Sequence, residues 1–367
     1  MMSRRVVMLT SVHPATDVRI FHKEARSLAA HGFETWVVGP HWRHETIEGV
    51  HIRALPEWMP RAARPAQWAR LWRHALDLRP AVFHLHDPEL LPLGATLAAA
   101  GQRVVYDAHE FYAVEVARRE WLPRGTRRLA AAGVVAAEQA AFRYAAGVVT
   151  VTPAMARWFR GRGACNVALV RNLPRLADYP VPAHNTERPP RVVYLGTLSS
   201  DRGLAVIEEA ATRLAAEGIE VEVVGPIPEG ARPARVGAVK WRGRVPPWEV
   251  AAALGQAAVG WVPWQPTPNN ALALPTKLLE YMAAGLPVVV SDVGELGSIV
   301  RAEGCGAVVP PADVAAHMAA LRELARDPQR RSALGARARQ AFERGYVWER
   351  EEERFVQWYG ELVEGSA

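Results

Sequence analysis

The chain has two cysteines in 367 residues, Cys165 and Cys305, and they form neither a disulfide framework nor a metal-ligand spacing. A reducing compartment, the cytoplasm, is the simplest expectation. No apolar run reaches the ~18–20 residues needed to span a bilayer. The start does not read as a leader: only Val6 to Leu9 are apolar before His13 and Pro14, so this segment reads as a first strand. No G-x-G-x-x-G lies between the first strand and the helix after it, so the nicotinamide-type fingerprint is missing. Basic heptads, zinc spacings and RNP-like aromatic runs are lacking as well, which sets nucleic acid aside as a partner. Acidic excess is confined to one half. The net charge is +6, with +9 in residues 1–180 and −3 in residues 181–367, and ten of the twelve histidines lie in the first half. A basic half points to an anionic partner such as a membrane surface or lipid phosphate.

The length suits two domains of ordinary size. Short β-rich runs at 5–11, 35–38, 81–85, 103–106, 147–151 and 167–170 read as strands. Helical patterns lie between them, the first from about Ile20 to His31 and an alanine-rich one at 130–146. Five prolines within 173–190 mark a linker. The pattern then restarts, with strands at 191–196, 220–224, 239–243, 260–264, 288–291 and 306–309 and a helix at 203–217. Residues 265–273 read as a polar loop, and helices at 316–326, 329–342 and 346–362 close the chain. Alternating strands and helices imply α/β domains with parallel sheets, whose ligands bind beyond the carboxyl ends of the strands.

Three polar clusters fall at such strand ends: His13 to Arg19, His86-Asp87-Pro88-Glu89 and Asp107-Ala108-His109-Glu110. Each residue taken alone could be a cap or a satisfied loop group. Asp17 reads equally well as a helix cap, and Arg19 as a first-turn surface residue. Residues 61–79 interleave arginines with Trp68, Leu71, Trp72 and Ala75 at i, i+3, i+4, i+7 spacing. That pattern fits an interfacial membrane helix or a helix packed on its own core. Residues 121–129 are a second basic-apolar stretch. Between Pro275 and Asp292 a helix, a tight turn and a buried strand follow one another. Lys277 and Glu280 share one face of that helix, as an exposed ion pair or as ligand-binding groups.

The stretch P-x-K-L-x-E-Y-M-A-x-G, from Pro275 to Gly285, resembles the donor-site signature of retaining GT-B glycosyltransferases of family 4. H-x-x-x-D-x-R-I at 13–20, H-D-P-E at 86–89 and D-A-H-E-F at 107–111 resemble the same subgroup, and similarity extends over nearly the whole chain. The resemblance implies two Rossmann-like domains with parallel sheets facing across a cleft. An acceptor-binding domain would occupy 1–173, with a helix at 346–367 crossing back to it. A nucleotide-sugar domain would occupy 190–345. The implied activity moves a sugar from a nucleotide diphosphate sugar to a hydroxyl acceptor, a lipid-linked or polysaccharide precursor, with retention and without a metal or other cofactor. His109, Arg202 and Lys277 would be the catalytic groups. Glu280, Val245, Asn270 and Leu272 would join Arg202 and Lys277 around the donor. His13, Asp17, Arg19, His86 and Glu110 would lie on the acceptor side. The protein would work in the cytoplasm at the inner face of the membrane, touching it through 61–79 and 121–129. The family's second glutamate is replaced by Leu272, and an arginine common in the family by Thr197. Two alternatives therefore stay open: a catalytically weak nucleotide-sugar-binding subunit of a polysaccharide assembly complex, and a GT-B nucleotide-sugar epimerase.

Overall fold

The computed structural model describes residues 4–56, 64–118, 122–180, 188–226 and 238–364. The chain divides into two compact units, Met1–Asn172 with Glu351–Ala367, and Leu173–Arg350. In the proline-rich stretch, Leu173 and Tyr179 enter the core of the second unit, while 181–187 lie outside the described residues.

The first unit is built on eight strands: β1 (Arg5–Leu9), β2 (Glu34–Pro40), β3 (Glu45–Ile47), β4 (Val50–Leu55), β5 (Val82–Leu85), β6 (Val104–Ala108), β7 (Gly147–Thr150) and β8 (Val167–Leu169). Their order is β3-β4-β2-β1-β5-β6-β7-β8, and every pair is parallel except β3–β4. The β3–β4 hairpin was not visible in the sequence. Its turn uses Glu48 (φ 50) and Gly49 (φ 79), both left-handed, as a two-residue hairpin turn of this twist requires. Glu-Gly does the work here that Asn-Gly more often does, so the usual signal was missing.

The helix expected at 20–31 is present but starts as a wider π-helical stretch, Ile20–Ala25, before Arg26–Ala30 continues as α-helix. Asp17 Oδ1 accepts from the backbone N–H of Arg19 and Ile20, and its carbonyl from Phe21 and His22. The alanine-rich helix runs Arg124–Ala141, earlier than expected, starting directly after Pro123.

The tryptophan-bearing helix, Arg64–Leu78, turns its apolar face inward: Leu71, Ala75 and Leu78 are buried, and Trp68 and Trp72 pack against the same core. Of the two readings open for 61–79, this packing favours the helix seated on its own core, with Trp68 and Trp72 partly buried. Residues 61–63 lie outside the described residues, as does Trp121 of the second stretch.

The second unit carries β9 (Arg191–Leu195), β10 (Glu220–Val224), β11 (Val239–Gly243), β12 (Val259–Val262), β13 (Val288–Ser291) and β14 (Gly306–Val309). All are parallel, in the order β11-β10-β9-β12-β13-β14. This is the doubly wound order, and the strand order reverses between β9 and β12. In the first unit the equivalent point lies between β1 and β5. Helices cover both faces of the second sheet, so β13 is buried along its whole length.

Gly260 in β12 shows how tightly that core is set. A Cβ there would lie 2.5 Å from the ring of Tyr281, a fully buried side chain. The Tyr281 hydroxyl accepts from Leu195 N–H at 2.7 Å and donates to Val193 C=O at 3.3 Å. Gly260→Ala is therefore expected to destabilise the second unit by about 1–3 kcal/mol, read as a lower urea midpoint at unchanged slope.

Candidate active site

At the β9/β12 switch point of the second unit, four side chains meet. The turn after β9 ends in Ser200–Arg202, followed by Gly203 at φ 91. A Cβ on Gly203 would stand 2.1 Å from the Pro263 carbonyl oxygen, so only glycine lets this turn lie against the loop after β12. Trp264, next in that loop, is 3% exposed. The Arg202 guanidinium carbon lies 4.0 Å from the Trp264 ring centroid. Lys277, in the first turn of the Thr276–Ala283 helix, places Nζ 4.1 Å from the Tyr194 ring and 5.7 Å from Trp264. Nζ also donates to the Tyr194 hydroxyl at 2.8 Å.

Arg202 and Lys277, far apart in sequence, thus share one aromatic box. Arg202 Nη1 is buried with no hydrogen-bond partner among the described residues. Burial, and then the neighbouring Arg202, push the Lys277 ammonium down to about 7, against the pull of Glu280 and Asp201. Two adjacent cations, one already losing its charge, form a site that an anion would stabilise. Glu280, one turn on from Lys277, accepts from the Tyr179 hydroxyl at 3.3 Å.

The residues expected around the base and sugar lie on two other segments of the same unit. Val245 packs on the core and, with Arg242, Glu249, Ala252, Ala253 and Gln256, lines an open hollow of about 430 Å³. The loop expected at 265–273 contains a short helix, Pro268–Leu272, whose Thr267 cap accepts from Asn270 N–H. Threonine followed by proline was the signal for it. Asn270 is fully buried, and its amide donates to the carbonyls of Asp201 and Gln265, each at 2.9 Å. Those donors tie the loop to the Arg202 turn and are not directed at a ligand. Leu272 is the last residue of that helix and partly exposed. Trp264 and Tyr194 were not singled out from sequence. The signal available was their position immediately after or at the end of the two switch-point strands.

In the first unit, the loop after β1 and the end of β5 meet at the other switch point. Asp87 is buried and accepts from Ser11 N–H at 2.7 Å, Thr10 Oγ1 at 2.9 Å and Val12 N–H at 3.2 Å. Its second oxygen meets His13 Nδ1 at 2.9 Å. Burial opposes the charge on His13, but Asp87, with Asp17 and Glu110 beyond it, holds the imidazole up at about 9. Burial likewise opposes the Asp87 carboxylate, yet His13 and the surrounding donors bring it down to about 2. The His13 ring lies edge-on to His109 at 5.4 Å, and His109 Nε2 meets the Tyr112 hydroxyl at 3.0 Å. Glu110 is exposed and Asp17 partly exposed.

Arg19 and His86 are not on that surface, so their assignment to the acceptor side is corrected: both are buried. Arg19 makes a two-point contact with Asp107 at 2.8 and 3.0 Å and reaches Glu24 at 2.8 Å. His86 Nδ1 meets Asp107 at 3.1 Å, and His84 meets the Tyr359 hydroxyl at 2.8 Å. Glu24, His84, His86 and Asp107 are close enough to suggest a metal set. Arg19, however, already supplies a cation to both carboxylates. Burial drives the Glu24 carboxyl well above its usual range and the two imidazoles below theirs, whereas Arg19 keeps Asp107 ionised. The cluster is built around the buried Arg19 ion pairs with Asp107 and Glu24.

Comparison with known proteins places both halves. Residues 18–173 match the sequence model of Glycosyltransferase Family 4, and residues 189–327 that of Glycosyl transferases group 1. A curated relative, glycogen synthase of Mycobacterium tuberculosis strain H37Rv, is 28% identical over 199 residues, which is 52% of this chain and 47% of the relative. The match thus spans about half the length of the curated relatives. Among solved structures, sucrose-phosphate synthase from Thermosynechococcus elongatus superposes with a TM-score of 0.79 at 19% identity, covering 99% of this chain and 100% of that one. Anabaena HepE, solved in complex with UDP and glucose, gives a TM-score of 0.72 at 13% identity with complete coverage of both chains. A UDP-forming trehalose-phosphate synthase from Burkholderia xenovorans gives 0.66 at 15% identity, covering 99% and 100%. At these identities the structures share the fold.

The His13–Asp87 pair has a measurable signature. The raised His13 value contributes stability that is complete below the unfolded value near 6.5 and is lost as the pH rises through about 9. In Asp87→Asn, burial acts without its counter-charge. The His13 titration, followed by NMR of the ring, is expected to fall from about 9 to the ordinary histidine range or below it.

Proposed function

Because the chain belongs to the GT-B glycosyltransferases, with a family 4 domain ahead of a group 1 domain, we propose that it transfers a sugar from a nucleotide diphosphate sugar to a hydroxyl acceptor with retention at the anomeric carbon. The observation that carries this reading is the pairing of Arg202 and Lys277 on one aromatic box at a topological switch point. Two cations with an unpartnered N–H suit a diphosphate, whose oxygens take charge-assisted hydrogen bonds.

In this mechanism the bond between the anomeric carbon and the diphosphate oxygen breaks as Arg202 and Lys277 take up the charge developing on the leaving group. The acceptor oxygen bonds to the same face of the sugar, and its proton passes to the departing diphosphate oxygen. The protein supplies position and charge and needs no nucleophile of its own. No metal is needed in this scheme, because the two side-chain cations take the diphosphate charge. Glu280 would accept from the ribose hydroxyls, and the hollow at Val245 would take the base. His109 would support the sugar once the Tyr112 hydroxyl yields its nitrogen. His13, Asp17 and Glu110 would face the acceptor, with Arg19 and His86 setting the strand ends from below.

A lipid-linked or polysaccharide precursor is the acceptor this reading favours, used at the cytoplasmic face of the membrane. Contact with that surface would rest on exposed arginines, since the tryptophans of the Arg64–Leu78 helix are partly buried against the core. The weak-subunit alternative draws on Leu272, which leaves no carboxylate where the family has its second glutamate.

Arg202→Ala and Lys277→Ala are each expected to lower kcat by about 10²–10³, measured as nucleotide diphosphate release with a panel of nucleotide sugars and acceptors. Wild-type turnover in Lys277→Ala would overturn the assignment. Donor kcat/KM is expected to fall as the pH rises through about 7, where Lys277 loses the proton that the diphosphate needs. In Lys277→Ala that fall is expected to vanish.

A further inference from the structure

We propose that Trp264 and Tyr194 are positioning residues for the diphosphate: their ring faces hold Arg202 and Lys277 side by side before a donor arrives. This deepens the reading above and rests on it.

Two cations at this spacing repel, so something must hold each in place. A carboxylate would do so by neutralising the cation, and an arriving diphosphate would have to displace it. An aromatic face attracts a cation through its quadrupole and leaves the charge and the N–H groups available. The structure uses the second device. The Trp264 ring lies 4.0 Å from the Arg202 guanidinium carbon, while Asp201 comes only to 4.0 Å of Arg202 Nε, at the limit of an ion pair. Tyr194 presents its ring to Lys277 at 4.1 Å and its hydroxyl at 2.8 Å. That hydroxyl in turn donates to the Thr197 carbonyl at 3.0 Å, so its oxygen is turned to accept from the ammonium.

The rings themselves cannot drift. Tyr194 is fully buried within β9, and Trp264 belongs to the buried core of the second unit. Three contacts lock the Trp264 loop to the Arg202 turn. Gly203 lies against Pro263, and both Gln265 N–H and the Asn270 amide donate to the Asp201 carbonyl at 2.9 Å. The charged and titratable groups around Lys277 are Arg202, Asp201 and Tyr194 from the β9 side and Glu280 on its own helix.

The test uses the full chain and inorganic pyrophosphate as the probe, with affinity measured by calorimetry at pH 6.5. Trp264→Leu and Tyr194→Leu are each expected to weaken pyrophosphate about 5–30-fold. Trp264→Phe and Tyr194→Phe, which keep a ring face, are expected to stay within about threefold of wild type. Ligand-free melting of all four establishes that the folded protein is being compared. Should a leucine variant fail to fold, Trp264→Met replaces it at the same site. Leucine or methionine variants that bind pyrophosphate as tightly as their phenylalanine counterparts would overturn the proposal. Lys277→Ala separates the two levels. If it binds pyrophosphate like wild type, the diphosphate site itself is wrong. If it weakens binding while the ring variants do not, only the role of the rings falls.

Discussion

Gly203 lies so close to Pro263 that a side chain there would stand 2.1 Å from a carbonyl oxygen. The candidate site of the second unit depends on that contact. It joins the turn after β9 to the loop after β12, the two strands between which the strand order of a doubly wound sheet reverses. Once they are joined, Arg202 lies over Trp264, Lys277 reaches the same ring from the next helix, and Asn270 ties the two segments together. A bulkier residue at 203 would separate the cations without touching either.

The first unit meets the same topological situation with different chemistry. At its switch point a buried carboxylate, Asp87, collects three donors and holds an imidazolium, His13, at the surface. One layer below, Arg19 pairs with Asp107 and Glu24, while burial raises the Glu24 carboxyl and lowers His84 and His86. Charge in the interior is matched by charge, and what is left over sits at the strand ends. In the second unit the residual charge is cationic and seated on rings. In the first it is mixed, with carboxylates and imidazoles within reach of one another.

The structural relatives put limits on how far likeness carries. HepE was solved with UDP and glucose, and the synthases that superpose on this chain are named for phosphorylated sugar products. At 13–19% identity these proteins share a scaffold, and the residues that choose a substrate belong to each chain separately.

Local pattern determined a good deal. All six strands of the second sheet, its helix after β9 and the Lys277–Glu280 face were legible, because buried parallel strands are continuous apolar runs and helices keep a 3.6-residue period. The β3–β4 hairpin was hidden by an unusual turn pair, and the Pro268–Leu272 helix by its brevity. What the sequence could not decide was direction and company. Arg19 reads as a surface residue until β6 brings Asp107 beneath it, 88 positions away. Trp68 and Trp72 fit a lipid-facing stripe as well as a core-packed one until the first unit's core is seen to pack against them. Trp264 carries no motif at all until the β9 turn brings Arg202 against it. In each case the deciding contact joins segments far apart along the chain. Strand order sets such contacts, and no periodicity within one segment encodes it.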